Sequence, residues 1–209
     1  MHGLEQLTFR DRLGQRVVRC VIGLALFGTG ISMQMNANLG SPPWDVFHQG
    51  VSKRTEISIG QIIIITGFAI LLLWIPLKQR PGLGTILNAL EIGLVADIAL
   101  RTIPEPSNIF MRIAMVAGGI VIVAIGSGLY IGSALGPGPR DGLMTGLAKR
   151  GISIRFARTG IEVFVLVTGW FLGGQVGIAT LAFALGVGPL VQFFLPRLAV
   201  KKPTSQFYQ

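Results

Sequence analysis

Six stretches of this chain, residues 17–35, 57–77, 82–100, 112–135, 155–174 and 176–196, are mostly apolar. Each has about the length a helix needs to cross a hydrocarbon layer, roughly 20 residues. No other feature constrains the fold as strongly. Inside a bilayer every backbone N–H and C=O must be bonded within the protein, so separated apolar runs of this length become helices. Composition agrees: 51% of the residues are hydrophobic and 13% are charged, where a soluble domain carries about a quarter. The expected class is an all-α membrane protein with about six transmembrane helices.

The net charge of +9 would suggest a nucleic-acid binder in a soluble protein. Here the aromatic residues are not interleaved with the basic clusters, so stacking platforms for bases are missing and nucleic acid is not an expected partner. The basic residues are instead distributed by side. With the N-terminus inside, the inner segments carry 14 of the 18 Lys and Arg and the outer segments carry 4. That bias puts both termini in the cytoplasm. The basic-then-apolar start mimics a signal peptide, but no clear small-residue cleavage site follows, so it reads as a first helix that stays attached. The single cysteine, Cys20, reads as a packing residue. One Cys and two His give too few ligands for a Cys/His metal site, and no metal or cofactor is expected. The residues 155–174 and 176–196 are separated only by GGQVG and are expected to form a tight helical hairpin.

The two halves resemble each other. NLGSPPWDVFHQGVSKR aligns with ALGPGPRDGLMTGLAKR at a shift of 96, setting Pro43 on Pro139, Asp45 on Asp141 and Lys53–Arg54 on Lys149–Arg150. Further along, Gly82, Thr85 and Gly93 fall on Gly177, Thr180 and Gly188. Three spans per half make the second copy enter from the opposite side. A 3+3 inverted internal repeat follows, divided into residues 1–16 (cytoplasmic segment), 17–103 (first repeat), 111–196 (second repeat) and 197–209 (cytoplasmic tail). Such repeats are frequent in secondary transporters.

Each aligned segment reads as the start of a short Pro-started half-helix. Ser41 suits an N-cap, Pro42 and Pro43 are tolerated in a first turn, and Asp45 suits the positive end of the helix dipole. Two placements stay open. As interfacial amphipathic helices they would set Trp44, Phe47 and Val51 on one face and Asp45, His48 and Ser52 on the other. As re-entrant half-helices they would bring their N-termini together near the midplane, where free N–H groups hold a polar or anionic ligand. The repetition favours the second.

Ionisable groups within spans are functional suspects. Thr85, Asn88 and Glu91 form a polar stripe on one span, and Glu91 has no obvious local partner. The candidate ligand-binding set is Ser41, Trp44, Asp45, His48, Asn88, Glu91, Arg140 and Asp141. Arg158 and Glu162, spaced i,i+4, read as a structural pair. Asp97 reads as facing water, His48 as a surface or hydrogen-bonding residue, and Gln34, Asn36 and Asn38 as ordinary polar caps. No HExxH, GxSxG or facing pair of aspartates occurs in spans, so an enzyme is not expected. Gly142/Gly146 and Gly169/Gly173 are GxxxG pairs that suit helix packing within or between chains.

The stretches LGSPPWDVFHQGVSKRT, WIPLKQRPGLGTILN, GLYIGSALGPGPRDGLMTGLAKR and VGIATLAFALGVGPLVQFF resemble the YczE branch of the YczE/YyaS/YitT family of bacterial integral membrane proteins. The resemblance covers residues 20–196 and implies a bacterial cytoplasmic membrane location. It brings no substrate and no catalytic residue. Phe47 departs mildly from a Leu common in the family. The expected function is a small-solute transporter or permease with Glu91 as a proton-coupling candidate. The alternative is a non-transporting membrane partner or regulator of another membrane-associated protein, such as a biosynthetic enzyme. Expected partners are the lipid bilayer, a small-molecule or ionic ligand, and either a second copy or another membrane protein.

Overall fold

The computed structural model describes residues 11–200. Among them are eight helices and no strand: α1 (Leu13–Asn36), α2 (Pro43–Thr55), α3 (Ile59–Trp74), α4 (Leu83–Thr102), α5 (Ile109–Gly132), α6 (Pro139–Ala148), α7 (Ile154–Phe171) and α8 (Ile178–Leu198). Four of them, α1, α4, α5 and α8, are long and apolar enough to cross a membrane. The bent pair α2 and α3 makes a fifth if counted as one broken span. Taken alone, α3 has 16 residues, and α7 carries Arg155, Arg158 and Glu162. The outward surface is apolar where these helices meet no neighbour, as at Phe110, Phe164 and Leu185. Such a surface needs a lipid environment.

Helix α1 begins at Leu13, four residues before the apolar stretch that starts at residue 17. The cause is Arg16. It is buried, and its Nε and Nη2 donate to the carbonyls of Ser133 and Ala134 at 2.8 and 2.7 Å. A cation is stabilising at a helix C-terminus, here the end of α5. The remaining N-terminal residues 1–10 and the tail 201–209 lie outside the described residues.

The centre is the antiparallel crossing of α1 and α5. A Cβ on Gly23 would meet Tyr130 N at 2.6 Å and Gly126 O at 2.7 Å; a Cβ on Gly30 would meet Gly119 O at 2.8 Å. With no side chain at these positions the two backbones touch, the usual way helices associate without a hydrophobic driving force. Cys20, Leu24, Ile31 and Met35 of α1 pack here with Ile92, Ala96 and Val123, so Cys20 is indeed a packing residue. At the far end of α1, Asn36 Nδ2 donates to the carbonyls of Leu100 and Ile103. That ties α1 to the end of α4, a larger role than an ordinary cap.

Part of the contact pattern of the first four helices recurs in the last four. After α1, Asn38 (φ 55°) and Gly40 (φ 108°) turn the chain; after α5, Ala134 (φ 54°) and Gly136 (φ 128°) do the same. The first turn packs on the start of α8, where Ala179 N donates to Leu39 O at 3.0 Å. The second packs on the start of α4, where Gly84 N donates to Leu135 O at 2.9 Å. Gly40 and Gly136 must be glycine on two counts. Their φ is left-handed, and a Cβ would strike Gly177 N at 2.5 Å or Thr85 Oγ1 at 2.8 Å.

The seams next to the short helices differ. Helices α3 and α4 pack closely. A Cβ on Gly60 would meet Gly93 O at 2.1 Å, and Asp97 accepts from Ser58 Oγ at 2.5 Å and Gly60 N at 2.8 Å. Asp97 thus caps α3 instead of facing water. The hairpin expected between the last two spans does not form: α7 packs on α2 and α6, α8 packs on α5, and α7 and α8 diverge from their short turn. The alignment supplies the reason. Arg155 and Glu162 stand where α3 has Gly60 and Gly67, and Gln192 stands where α4 has Asp97. The small residues and the cap that close the first seam are replaced by bulky polar side chains in the second. Gly188, aligned with Gly93, has nothing within 4 Å of a built Cβ.

Candidate functional site

The two short helices start with proline because their first turns have no intrahelical partner for an N–H. Pro43 and Pro139 are the first helical residues, and Pro42 and Gly138 are the N-caps. Ser41 is therefore not the N-cap the sequence suggested. It is fully buried, its Oγ accepts from Gln49 Nε2 at 3.1 Å, and its backbone N donates to Gln175 O at 3.1 Å. Gln49 Oε1 in turn accepts from Gln175 N at 3.0 Å. With Lys53 Nζ donating to Gly173 O at 2.8 Å, these bonds clamp α2 onto the α7–α8 turn. Helix α6 clamps the α3–α4 connection in the same manner. Trp74 Nε1 donates to Pro139 O at 3.0 Å, Thr85 Oγ1 to Pro137 O at 2.7 Å and Lys149 Nζ to Gln79 Oε1 at 3.3 Å.

Helix α2 meets α3 at a bend of 114°, nearer a right angle than a full reversal. Its N-terminal half is buried on both faces. His48 is completely buried, so of the two roles expected of it the hydrogen-bonding one holds: its Nδ1 lies 3.2 Å from Asp45 Oδ1. Trp44 and Asp45 are buried beside it. The first two turns of α2 are thus inside the protein on both their apolar and their polar side, unlike those of a helix laid on the surface.

The starts of α2 and α6 open into one cavity of about 730 Å³. Pro42–Asp45 and Pro137–Asp141 both line it, with Asn88 of α4, Ser127 and Tyr130 of α5, and Arg158 and Glu162 of α7. Much of the remaining wall is apolar: Phe27 and Ile31 of α1, Ile92 of α4, Val123 of α5 and the α8 stripe Phe183, Ala184, Val187, Gly188 and Val191. The Arg140 guanidinium carbon lies 4.6 Å above the centre of the Trp44 ring, joining the two short helices across the cavity. A cation over an indole face is held by the ring quadrupole.

Of the residues singled out by sequence, Trp44, Asp45, Asn88, Arg140 and Asp141 come together in this wall. Ser41 and His48 stand behind it as bonded supports. Glu91 does not line the cavity. It is half-buried on α4 and has no hydrogen bond or ion pair among the described residues. Arg158 and Glu162 form their pair, Nε to Oε1 3.1 Å, but the pair is part of the cavity wall. The glycine pairs pack within the chain: Gly142 lies against the Trp74 ring and Gly169 against the backbone of Phe47. Sequence reading missed Tyr130 and the α8 stripe. Tyr130 sits in an apolar run and carried no local signal. The stripe was legible as the aligned counterpart of the α4 face, once the substitutions at Arg155 and Glu162 are taken as opening the seam in front of it.

Residues 14–196 match the family of unknown function DUF6198. The chain is similar to an uncharacterized protein of Haemophilus influenzae, 39% identical over 86% of this chain and 83% of that protein. It is also similar to two proteins of Bacillus subtilis. The uncharacterized membrane protein YczE is 32% identical over 84% of this chain and 83% of its own length. The uncharacterized protein YyaS is 25% identical over 84% and 90%. No solved structure matches the chain.

Proposed function

The chain belongs to the YczE/YyaS family of membrane proteins, and from that premise we propose that it is a small-solute transporter of the bacterial cytoplasmic membrane. The observation that carries this reading is the cavity: a space of about 730 Å³ with charged and polar groups from both short helices in its wall. Buried charges are costly, and inside a membrane protein they mark substrate paths by default. A protein that only docks another has no use for such a space.

In this reading the chain crosses six times, with α2–α3 and α6–α7 each counting a short helix and a span. The halves are inverted repeats, which the paired turns at Gly40 and Gly136 and their contacts with the opposite half support. The basic residues put both termini in the cytoplasm. The cavity wall then includes the cytoplasmic ends of several helices: Asn88 near the start of α4, Tyr130 near the end of α5, Arg158 near the start of α7 and Gln192 near the end of α8. At the other face α2 seals the α7–α8 turn through Ser41, Gln49 and Gln175. The arrangement suits an inward-open state whose outer gate is the α2 clamp. The open α7–α8 seam and the closed α3–α4 seam suit two halves caught at different stages of the same rocking movement.

Cysteine labelling tests this reading. In a Cys20→Ala background, Asn88→Cys is expected to react with a small membrane-impermeant thiol reagent in inside-out vesicles. Leu94→Cys, on the exposed face of the same helix, controls for reaction from the lipid side. An Asn88→Cys that stays unreactive from both sides would mean a dry interior, and the regulator or docking-partner reading would take its place.

A further inference from the structure

The charges in the cavity differ in how closely the protein pairs them. Arg158 is paired with Glu162, and Asp45 lies beside His48. Arg140 and Asp141 make no ion pair among the described residues, although both line the cavity. Arg140 rests on the Trp44 ring, and its N–H donors meet no acceptor at hydrogen-bond distance among the described residues. Asp141 is solvent-exposed even though it sits among buried neighbours, so its surface faces the cavity. Beside it is Tyr130, 3% exposed, whose hydroxyl is buried against Asp141 and Gly138 and meets no partner at full hydrogen-bond geometry among the described residues. A buried, unpartnered hydroxyl is rare in a folded protein and points to a missing partner.

We infer that the cavity takes a zwitterion with an apolar body, its anionic group on Arg140 and its ammonium group on Asp141 and the Tyr130 hydroxyl. This rests on the transporter reading and names its substrate class. A simple anion on Arg140 would be repelled by the adjacent Asp141 carboxylate, and a simple cation on Asp141 by the adjacent Arg140 guanidinium; like charges brought together in a confined site are unfavourable. The guanidinium fork suits a carboxylate or a phosphate. The apolar body lies along Phe183, Val187 and Val191 of α8, opposite Ile92. An inorganic ion would have no use for that wall or for so large a space. Two sources share this chemistry: a free apolar amino acid reaching the cavity from water, and the head of phosphatidylethanolamine reaching it from the bilayer through the seam between α7 and α8, which do not pack together.

The test is calorimetric titration of the purified full-length protein in detergent. The probes are leucine, phenylalanine and methionine, and a short-chain phosphatidylethanolamine below its micelle concentration. Two single-charge relatives of leucine, 4-methylpentanoate and 3-methylbutylamine, complete the set. Saturable binding of an amino acid, or of the phosphatidylethanolamine, is expected, and which one binds identifies the source. Each single-charge relative is expected to bind at least about tenfold more weakly. R140Q and D141N are each expected to weaken the zwitterion by a similar factor, with melting midpoints near the parent's confirming that they fold. D141N should restore part of the affinity for 4-methylpentanoate, a gain that a merely structural defect would not produce. If a single-charge relative binds as well as leucine, or if no zwitterion binds, the inference is wrong. With the position-88 cysteine still labelled, such a failure removes the substrate class alone; with it unreactive, the transporter reading falls as well.

Discussion

Gly188→Phe is expected to leave the protein folded, with stability within about 0.5 kcal/mol of the parent, and to abolish zwitterion binding. Gly93→Phe is expected to prevent recovery of folded protein. The two glycines align with each other in the two halves, so sequence alone would give the substitutions the same outcome. Their surroundings separate them. At Gly93 even a Cβ would lie 2.3 Å from Gly60 O and 2.6 Å from the Ile64 side chain. A benzyl group there would part α3 from α4 and break the Asp97 cap, a cost beyond about 4 kcal/mol. At Gly188 a built Cβ meets nothing within 4 Å, and the position faces the cavity. An aromatic ring there would fill space that is otherwise open to ligand and would gain helix propensity over glycine. Thermal melts in detergent together with the titration above measure both effects. Loss of folding at Gly188 would mean that α7 and α8 close on one another in the resting protein; full binding with the ring in place would mean that the zwitterion site lies elsewhere.

A still larger loss of stability is expected at the centre of the fold. Gly23→Leu should yield no monodisperse protein. Its first added atom would sit 2.6 Å from Tyr130 N and 2.7 Å from Gly126 O, backbone groups that cannot swing aside. The reciprocal contact is equally close, since a Cβ on Gly126 would meet Gly23 O at 2.6 Å. In a membrane, close backbone approach supplies much of the attraction between helices, so separating α1 from α5 removes what holds the halves together. Gly118→Leu is the control on the same face of the problem: it is a glycine of α5 whose built Cβ touches only the Met33 side chain, at 3.5 Å. It should be recovered at near parental yield. Size-exclusion profiles in detergent compare the two.

Much of the helical layout was readable because apolar length is an unambiguous signal. The six apolar stretches each correspond to a helix, and the two Pro-started segments are the short helices α2 and α6. The direction and environment of those short helices were not readable. The alternation of Trp44 and Asp45 on different faces describes an amphipathic surface helix equally well, and only the clamp on the α7–α8 turn shows that both faces are inside. The expected hairpin failed for a related reason. A short GGQVG turn fixes where two helices start but not whether their faces fit, and the fit was lost to Arg155 and Glu162. At the site, the paired motifs located Arg140 and Asp141 well. Glu91 is a suspect because it is charged within a span; it shares a helix with Asn88 but not the cavity. Charge within a span identifies a suspect, and the tertiary fold decides which cavity, if any, it faces.

The most direct test of alternating access asks whether one cavity residue can be reached from each side in turn. Asn88→Cys in the Cys20→Ala background is labelled in right-side-out and inside-out vesicles, with and without a disulfide between Ser41→Cys and Gln175→Cys, whose backbones are joined by a 3.1 Å hydrogen bond. Alternation predicts labelling from both sides, with the disulfide abolishing labelling from the outer side only and reduction restoring it. Labelling from the inner side alone, unchanged by the disulfide, would describe a fixed vestibule and contradict transport.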